Sequence, residues 1–315
     1  MKRRKWMQMT ASAAVAGLAS EFASAEDNAA GAPRVIDTHT HFYDPSRPQG
    51  VPWPPQDSAL YRTVLPPDWL AVASPHGVRE TVVVEASQWV EDNQWILDLA
   101  EKEPCIVGFV GNLDPRDEAF EANVKRFAAN RLFVGVRWRS GLVDVDEDFP
   151  RVLAGARILA EHNLELDLNG RNASTADAVR LAREVPDLRI VIDHLGNPRD
   201  STRPDPEWKE AMSRLAEQPN VNMKISALVE ATKTPPGQAP TELDVYRATL
   251  DHLWQAFGVD RWIYGSNWPV SDRGAPYTVV WDLAHRYISE KGEEAAAKFY
   301  SENARRVYRW VDRRA

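Results

Sequence analysis

Residues 34–43 read RVIDTHTHFY, and this stretch decides between two α/β folds. The apolar pair Val35-Ile36 is followed by residues typical of an extended strand. Because alternate side chains of a strand share a face, this pattern predicts a β-strand with Asp37, His39 and His41 on one side. Two imidazoles held side by side at a strand end are suited to binding a metal ion or a polar substrate. An open dinucleotide-binding sheet usually has a glycine-rich loop after its first strand, whereas histidines and aromatic residues stand here, which favours a barrel.

Seven further strand-like runs follow, and most are separated by one amphipathic segment. In one such segment, Phe120, Val124 and Phe127 recur at helical spacing. Strands that alternate with helices predict a parallel sheet, and eight such units close into a TIM (β/α)8 barrel. We therefore expect an α/β protein with a single barrel domain over residues 34–312. The strand candidates begin near Arg34, Glu80, Cys105, Leu132, Leu164, Leu188, Val221 and Arg261.

The first 25 residues predict an export signal that precedes the fold. A basic start contains the pair Arg3-Arg4, which resembles a twin-arginine signal, and Ala23-Ser24-Ala25 fits an A-x-A cleavage site. The alanine-rich stretch between them is too short to span a bilayer. Residues 26–33 then form a polar linker. This pattern predicts a periplasmic or otherwise exported protein, and the alternative is a disordered basic tail.

The charge of the chain restricts its partners. The whole sequence has a net charge of −8, and removal of residues 1–25 takes away four basic groups and Glu21, which leaves −11. An acidic body argues against nucleic acid or an anionic membrane as partner, so we expect a small molecule, and a homodimer stays open. The single cysteine, Cys105, lies in an apolar run and is predicted to be a small buried hydrophobe.

Two long, proline-rich connections are predicted to form walls or a lid of the site. Residues 42–67 surround Trp53 and Tyr61 with prolines, and residues 227–241 contain Pro235 and Pro236. Both connections follow strands, and the loops that follow strands lie on the active-site face of a barrel.

Polar residues alternate with apolar ones near the carboxyl ends of the strands. Because the outer faces of barrel strands meet apolar helices, we expect the polar series to point into a functional cavity. By this rule Val83 points inward with Glu85, and Ile190 and Ile192 point inward with His194, whereas Asp193 points away. The predicted inward polar residues include Glu85, Arg137, Arg139, Asp167, His194, Lys224 and Asn267.

Four segments together resemble a known family. They are DTHTH at 37–41, VIDHLGNP at 191–198, VNMKIS at 221–226 and WIYGSNWPV at 262–270. They are similar to the amidohydrolase-2 branch of the amidohydrolase superfamily, and most to its sugar-lactone and 2-pyrone-4,6-dicarboxylate lactonase group. The resemblance covers essentially the whole mature chain. It implies a TIM-barrel hydrolase that opens lactones, with a divalent metal in some members and without one in others.

The resemblance also implies roles for single residues. His39 and His41 match the histidine pair of the first strand, and His194 matches the histidine of the sixth. These three would hold a divalent metal, with Zn²⁺ as the first choice, or would polarise the substrate without a metal.

The position in the eighth strand departs from the family pattern. Most relatives have an aspartate there that binds metal or activates water, and this chain has Asn267. An asparagine cannot accept a proton at neutral pH. Three interpretations follow: Glu85 or Asp167 supplies the base, a metal activates water that Asn267 only orients, or the site is retuned or inactive.

These residues predict a hydrolase that opens an aldonolactone or a dicarboxylate lactone. Arg137, Arg139 and Lys224 would neutralise an oxyanion or a substrate carboxylate, although the arginines can instead pair with inward acids such as Glu85. Trp89 would stack on a sugar-like ring. The alternatives are a metal-dependent decarboxylase or lyase of the same superfamily, and a non-catalytic barrel that binds a sugar acid.

Overall fold

In the computed structural model, which describes residues 34–139, 147–170 and 175–313, eight strands pair in parallel and in sequence order. The predicted signal and linker over residues 1–33 lie outside the described residues. Each of the eight strands is followed by a helix, as expected for a TIM barrel. The strands are β1 (Ile36–Thr40), β2 (Glu80–Val84), β3 (Ile106–Gly111), β4 (Phe133–Arg139), β5 (Glu165–Asn169), β6 (Ile190–Ile192), β7 (Val221–Ile225) and β8 (Trp262–Tyr264).

Within the described residues, eight α-helices surround the strands, and a short helical segment follows the last of them. The helices that follow the strands are α1 (Pro66–Ala73), α2 (Val90–Lys102), α3 (Phe120–Ala128), α4 (Phe149–Glu161), α5 (Thr175–Glu184), α6 (Pro206–Ala216), α7 (Arg247–Phe257) and α8 (Tyr277–Ser289). The final segment comprises α9 (Glu293–Ala297), a π-helical turn (Lys298–Glu302) and α10 (Asn303–Val307). Within the described parts of the chain, none of the helices is long and apolar enough to cross a membrane.

The barrel is nearly closed by contacts between the first strand and the segment that follows the last. The backbone N–H of Asn267 donates to the carbonyl of His39 at 2.8 Å, and the N–H of His41 donates to the carbonyl of Trp268 at 2.9 Å. These bonds bring the histidine pair of β1 beside Asn267 at the carboxyl ends of the strands.

In the described parts of the chain, buried apolar residues form two clusters. The larger cluster joins the outward faces of the strands to the helices and contains Trp138, Trp268 and the predicted buried Cys105. Burial raises the pKa of the Cys105 thiol to about 11, so it behaves as a small hydrophobe. The smaller cluster lies inside the barrel and joins strand residues to the C-terminal segment around Val307 and Tyr308.

Alternation assigned parts of two strands to the wrong face. Val82 and Val84 belong to the interior cluster and Val83 to the outer one. In β6, Val191 is interior, and the isoleucines on either side of it pack outward. The prediction extrapolated backward from Glu85 and His194, which lie beyond the last residues of their strands. The side-chain alternation of a strand does not extend past its end.

Asp37 also points the other way from the prediction. Its Oδ2 lies 3.4 Å from the indole Nε1 of Trp69 and 3.3 Å from the hydroxyl of Tyr277, both of which belong to the helical layer. Its Oδ1 accepts the backbone N–H of Ser266 at 2.8 Å. The register between β1 and β2 shifts after Asp37, which explains why it does not share a face with His39.

We predict that Gly135→Ala destabilises the barrel by about 1–3 kcal/mol, because a Cβ there would overpack the interior. That Cβ would stand 1.9 Å from Glu165 Oε2 and 2.8 Å from the Glu165 carbonyl oxygen. Gly108→Ala is the matched control, since its nearest neighbours are side-chain carbons of Val134 at 3.1 Å and can shift. Urea denaturation measures both free energies of unfolding, and equal losses would contradict the prediction.

Candidate active site

A cavity of about 220 Å³ opens at the carboxyl ends of the strands. This is the face on which barrel enzymes place their active sites. The cavity brings together six of the predicted site residues, together with Trp53 from the long connection after β1. Its walls are formed by His41, Trp53, Glu85, Ala86, Arg137, Arg139, Asn169, His194, Asn267 and Val270.

The three predicted histidines are close together and are buried. The ring of His39 lies 5.0 Å from that of His41 and 4.5 Å from that of His194, between centroids. His41 and His194 line the cavity, whereas His39 is fully buried beneath it. Burial lowers the pKa of His41 to about 3 and that of His194 to about 4, so both imidazoles are neutral at physiological pH.

Asp193 joins this group, although alternation predicted that it points away. Its Oδ1 lies 3.4 Å from His39 Nδ1. The chain leaves β6 with His194 and Leu195 in the left-handed region, at φ 56° and 58°, and this turn places consecutive residues on one site. The Asp-His dipeptide at a predicted strand end is the sequence signal for this pair. Alternation misplaces Asp193 because it applies only to an extended backbone, and the backbone turns at His194.

His39, Asp193 and His194 form the candidate metal site. One ligand atom from each lies within 4.8 Å of the others, so the three can hold one ion, and His41 is not part of this group. Among the described residues, the buried Nε2 of His39 has no hydrogen-bond partner, an arrangement that suits a cation. Two imidazoles and a carboxylate are a donor set that zinc and other divalent transition metals accept.

Lys224 and Asp167 lie away from the cavity lining. Lys224 Nζ is 2.6 Å from Asp167 Oδ2 and 3.0 Å from Asp193 Oδ1, and all three side chains are fully buried. Burial alone would disfavour the charged forms of Lys224 and Asp193. The neighbouring acids nevertheless raise the pKa of Lys224 well above its usual value. In turn, Lys224 and His39 lower the pKa of Asp193 well below its usual value. Lys224, predicted to bind substrate, and Asp167, predicted as a base, therefore belong to an interior ion network.

The two arginines of β4 differ in environment. Arg137 is buried and binds Glu85 Oε1 through Nε at 2.9 Å and Nη2 at 2.6 Å. Arg139 Nη2 lies 3.6 Å from the same carboxylate, and its side chain is 63% exposed, so it stands at the rim of the cavity. Glu85, one of the predicted bases, therefore lies within ion-pair distance of both arginines. Arg137 pairs with an inward acid, which is the alternative that the sequence left open for it.

Asn267 has a neighbour that the sequence did not reveal. Its Nδ2 donates to Glu230 Oε1 at 2.7 Å, and its Oδ1 lies 3.2 Å from His41 Nε2. Burial raises the pKa of Glu230 to about 7. Glu230 comes from the connection over residues 227–241, and no spacing rule connects a loop residue to Asn267.

Trp89, predicted to stack on substrate, does not line the cavity. It precedes α2 and is 38% exposed. Trp53 contributes the aromatic surface instead, with its ring centroid 6.0 Å from that of His41. The long connection after β1 is therefore a wall of the cavity.

Comparisons with known proteins agree with this geometry. A family model described as amidohydrolase matches residues 36–310. L-fucono-1,5-lactonase from Burkholderia ambifaria is 33% identical over 288 residues, which cover 88% of this chain and 96% of that protein.

Two solved structures share the fold. An amidohydrolase from Burkholderia multivorans with bound zinc has a TM-score of 0.78 at 24% identity, and the match covers 88% of this chain and 100% of that one. A proposed 2-pyrone-4,6-dicarboxylic acid hydrolase from Pseudomonas putida has a TM-score of 0.68 at 23% identity, with 88% and 97% covered.

We predict that Lys224→Met costs about 3–5 kcal/mol of stability, because it leaves Asp167 and Asp193 buried without their cation. The loss is smaller at low pH, where the two acids can take up protons. Lys125→Met is the control, since its pair with Glu121 is exposed to solvent and should contribute little to stability. Urea denaturation at two pH values measures both variants, and a Lys224→Met protein as stable as the wild type would contradict the network.

Proposed function

The chain belongs to the amidohydrolase family, and from this membership together with the cavity at the barrel mouth we propose that it hydrolyses a lactone. The observation that carries the proposal is the convergence of His41, Arg137, His194 and Asn267 on one cavity. Neutral imidazoles beside a guanidinium provide a proton acceptor and a positive charge in one place, which ester hydrolysis requires.

The reaction adds water across the ring ester bond. The water oxygen attacks the carbonyl carbon, and the proton that it loses passes to His41 Nε2. The other ring nitrogen, Nδ1, lies 2.9 Å from the Val84 carbonyl oxygen, so Nδ1 carries the proton of the neutral ring and Nε2 carries the lone pair. The acyl carbon–ring oxygen bond then breaks, the ring oxygen takes the proton back from His41 Nε2, and a hydroxy acid leaves.

Arg137 and Arg139 stabilise the negative charge of this reaction. Among the residues that line the cavity, the two guanidinium groups outnumber the single carboxylate of Glu85, so the lining keeps a positive excess for an oxyanion or for the product carboxylate. Asn169 supplies an amide group for a substrate hydroxyl. This lining favours a hydroxylated lactone of the sugar-acid type.

A small niche next to the cavity refines the substrate class. It shares Trp53, Glu85 and Ala86 with the cavity, is lined further by aromatic residues such as Phe42 and Phe109 and by the ion pair of Arg47 with Asp92, and has about 20 Å³ of space. That space holds one group the size of water or methyl. The Burkholderia ambifaria relative is named for a 6-deoxy sugar lactone, which carries a methyl group small enough for the niche, so we propose that 6-deoxy sugar lactones belong to the substrate class.

A divalent metal, Zn²⁺ in this proposal, would be held by His39, Asp193 and His194. Such an ion supplies Lewis-acid polarisation of the carbonyl or of the attacking water. The zinc in the Burkholderia multivorans structure is consistent with this choice. His41 is outside the group, so its proton-accepting role is the same with or without an ion.

We also propose that residues 1–25 are a twin-arginine export signal and that the mature protein is periplasmic.

We predict that the purified mature protein releases acid from aldono-1,5-lactones. L-fucono-1,5-lactone should react faster than L-galactono-1,5-lactone, which has a hydroxymethyl group in place of the methyl. Arg137→Met and His194→Ala should each lower kcat/KM by about 100-fold or more, because they remove groups that face the reacting carbonyl. A pH-stat assay measures the rates. Unchanged rates in both variants would show that the cavity is not the site, and CO₂ release would indicate the lyase alternative.

We predict that the protein binds about one Zn²⁺ per chain and that Asp193→Asn weakens this binding by about 10-fold or more. Asp98→Asn, on the exposed face of α2, is the control and should bind as the wild type does. Titration calorimetry with metal analysis measures the affinity. Equal affinities in the two variants would exclude Asp193 as a ligand.

A further inference from the structure

The amide of Asn267 connects the cavity to a carboxyl group behind the wall. On one side its Oδ1 lies 3.2 Å from His41 Nε2, and on the other its Nδ2 donates to Glu230 Oε1 at 2.7 Å. An amide has one donor end and one acceptor end, so the groups on its two sides decide its orientation.

His41 offers a lone pair to this amide. Its Nδ1 faces the Val84 carbonyl, which only accepts, so Nδ1 carries the ring proton and Nε2 is an acceptor. Nε2 is therefore best satisfied by the N–H end of Asn267, and the carbonyl end then faces Glu230. That arrangement needs a proton on Glu230, which donates to Oδ1.

An ionised Glu230 imposes the opposite orientation. A carboxylate accepts only, so Asn267 turns its N–H end to Glu230 and its carbonyl end to the cavity. The cavity then presents two acceptors 3.2 Å apart, Asn267 Oδ1 and His41 Nε2, which can share one O–H of a water molecule and leave the lone pairs of its oxygen free for attack. When Glu230 is protonated, Asn267 and His41 satisfy each other and neither acceptor remains for water.

We propose that Glu230 is the positioning residue of the site: its ionised carboxylate orients Asn267 so that Asn267 and His41 together hold the attacking water. The inference rests on the proposed function and gives Asn267 a part in holding the attacking water. Glu230 and Asn267 together supply the acceptor that a single carboxylate would supply.

Glu230 is placed where it can exchange protons with solvent. It lines a second cavity of about 160 Å³, together with Thr232, Thr234 and Arg273. Among the residues that the structure describes, Arg273 and Tyr246 are the charged and titratable groups whose electrostatic interaction with Glu230 is resolved. The pKa of Glu230, raised to about 7 by burial, gives both of its states substantial populations near neutral pH.

The experiment compares pH profiles of lactone hydrolysis. In the wild type, kcat should rise between about pH 6 and pH 8 as Glu230 ionises, with little change in KM. Glu230→Gln can donate to Asn267 as the protonated acid does, so it should lack this rise and have about 100-fold lower kcat at pH 8. Glu242→Gln, which removes an exposed carboxylate just after this connection, should keep the wild-type profile. A rise that persists in Glu230→Gln would overturn the proposal.

Rescue distinguishes positioning from a structural role. Asn267→Asp in the Glu230→Gln background restores an acceptor that needs no orienting, so kcat should recover at least about tenfold over the single variant. In this double variant kcat should again rise with pH, but at a lower pH than in the wild type, because a carboxylate at the cavity ionises more easily than a buried one. Failure of this rescue in a folded double variant would contradict the proposal.

Thermal unfolding tests Glu230 without any substrate. A carboxyl whose pKa is raised on folding stabilises the folded state at low pH. This stabilisation is lost as the pH rises from the pKa of the unfolded state, about 4.5, through the pKa of the folded state. Glu230→Gln should therefore have the Tm of the wild type at pH 4 and a higher Tm at pH 8.5. If no lactone is hydrolysed but this difference appears, the proposed function is contradicted, while the dependence of the Asn267 orientation on the protonation of Glu230 is supported. A difference that does not depend on pH overturns the inference in either case.

Discussion

The ammonium group of Lys224 is the charge on which the interior of the barrel depends. Glu165, Asp167 and Asp193 are fully buried, and without a cation none of them would remain ionised. Lys224 contacts Asp167 and Asp193, and the pKa of Glu165 is raised well above its usual value by burial and by Asp167. Asp193 is thereby kept as a carboxylate beside His39, where it can serve a metal ion.

The charges above this network are arranged by depth. Arg137 and Glu85 form a buried pair at the cavity wall, Arg139 extends to the rim, and the imidazoles between them stay neutral because burial opposes a positive charge. Neutral imidazoles are the form that accepts protons and binds metals. The same burial raises the pKa of Glu230, so one physical effect prepares both the histidines and the acid that orients Asn267.

Much of the fold and part of the site follow from the sequence. The alternation of strands and helices predicts eight parallel strands, and the DTHTH segment with His194 and Asn267 predicts which strand ends meet. Alternation fails where a strand ends or its register shifts, so Asp37 and Asp193 were assigned to the wrong sides. Glu230 was missed because a loop residue has no period, and only the folded connection brings it to Asn267.

The central claim is that water attacks the carbonyl of a lactone in the cavity at the barrel mouth. Enzymatic turnover in ¹⁸O-labelled water, followed by mass spectrometry of the product, tests it directly. The account predicts one ¹⁸O atom in the carboxylate of the hydroxy acid and none in the hydroxyl released from the ring, at a rate that requires the folded protein. Product without label in the carboxylate, or label in the hydroxyl group, would contradict acyl–oxygen cleavage by water and with it the assignment of the site.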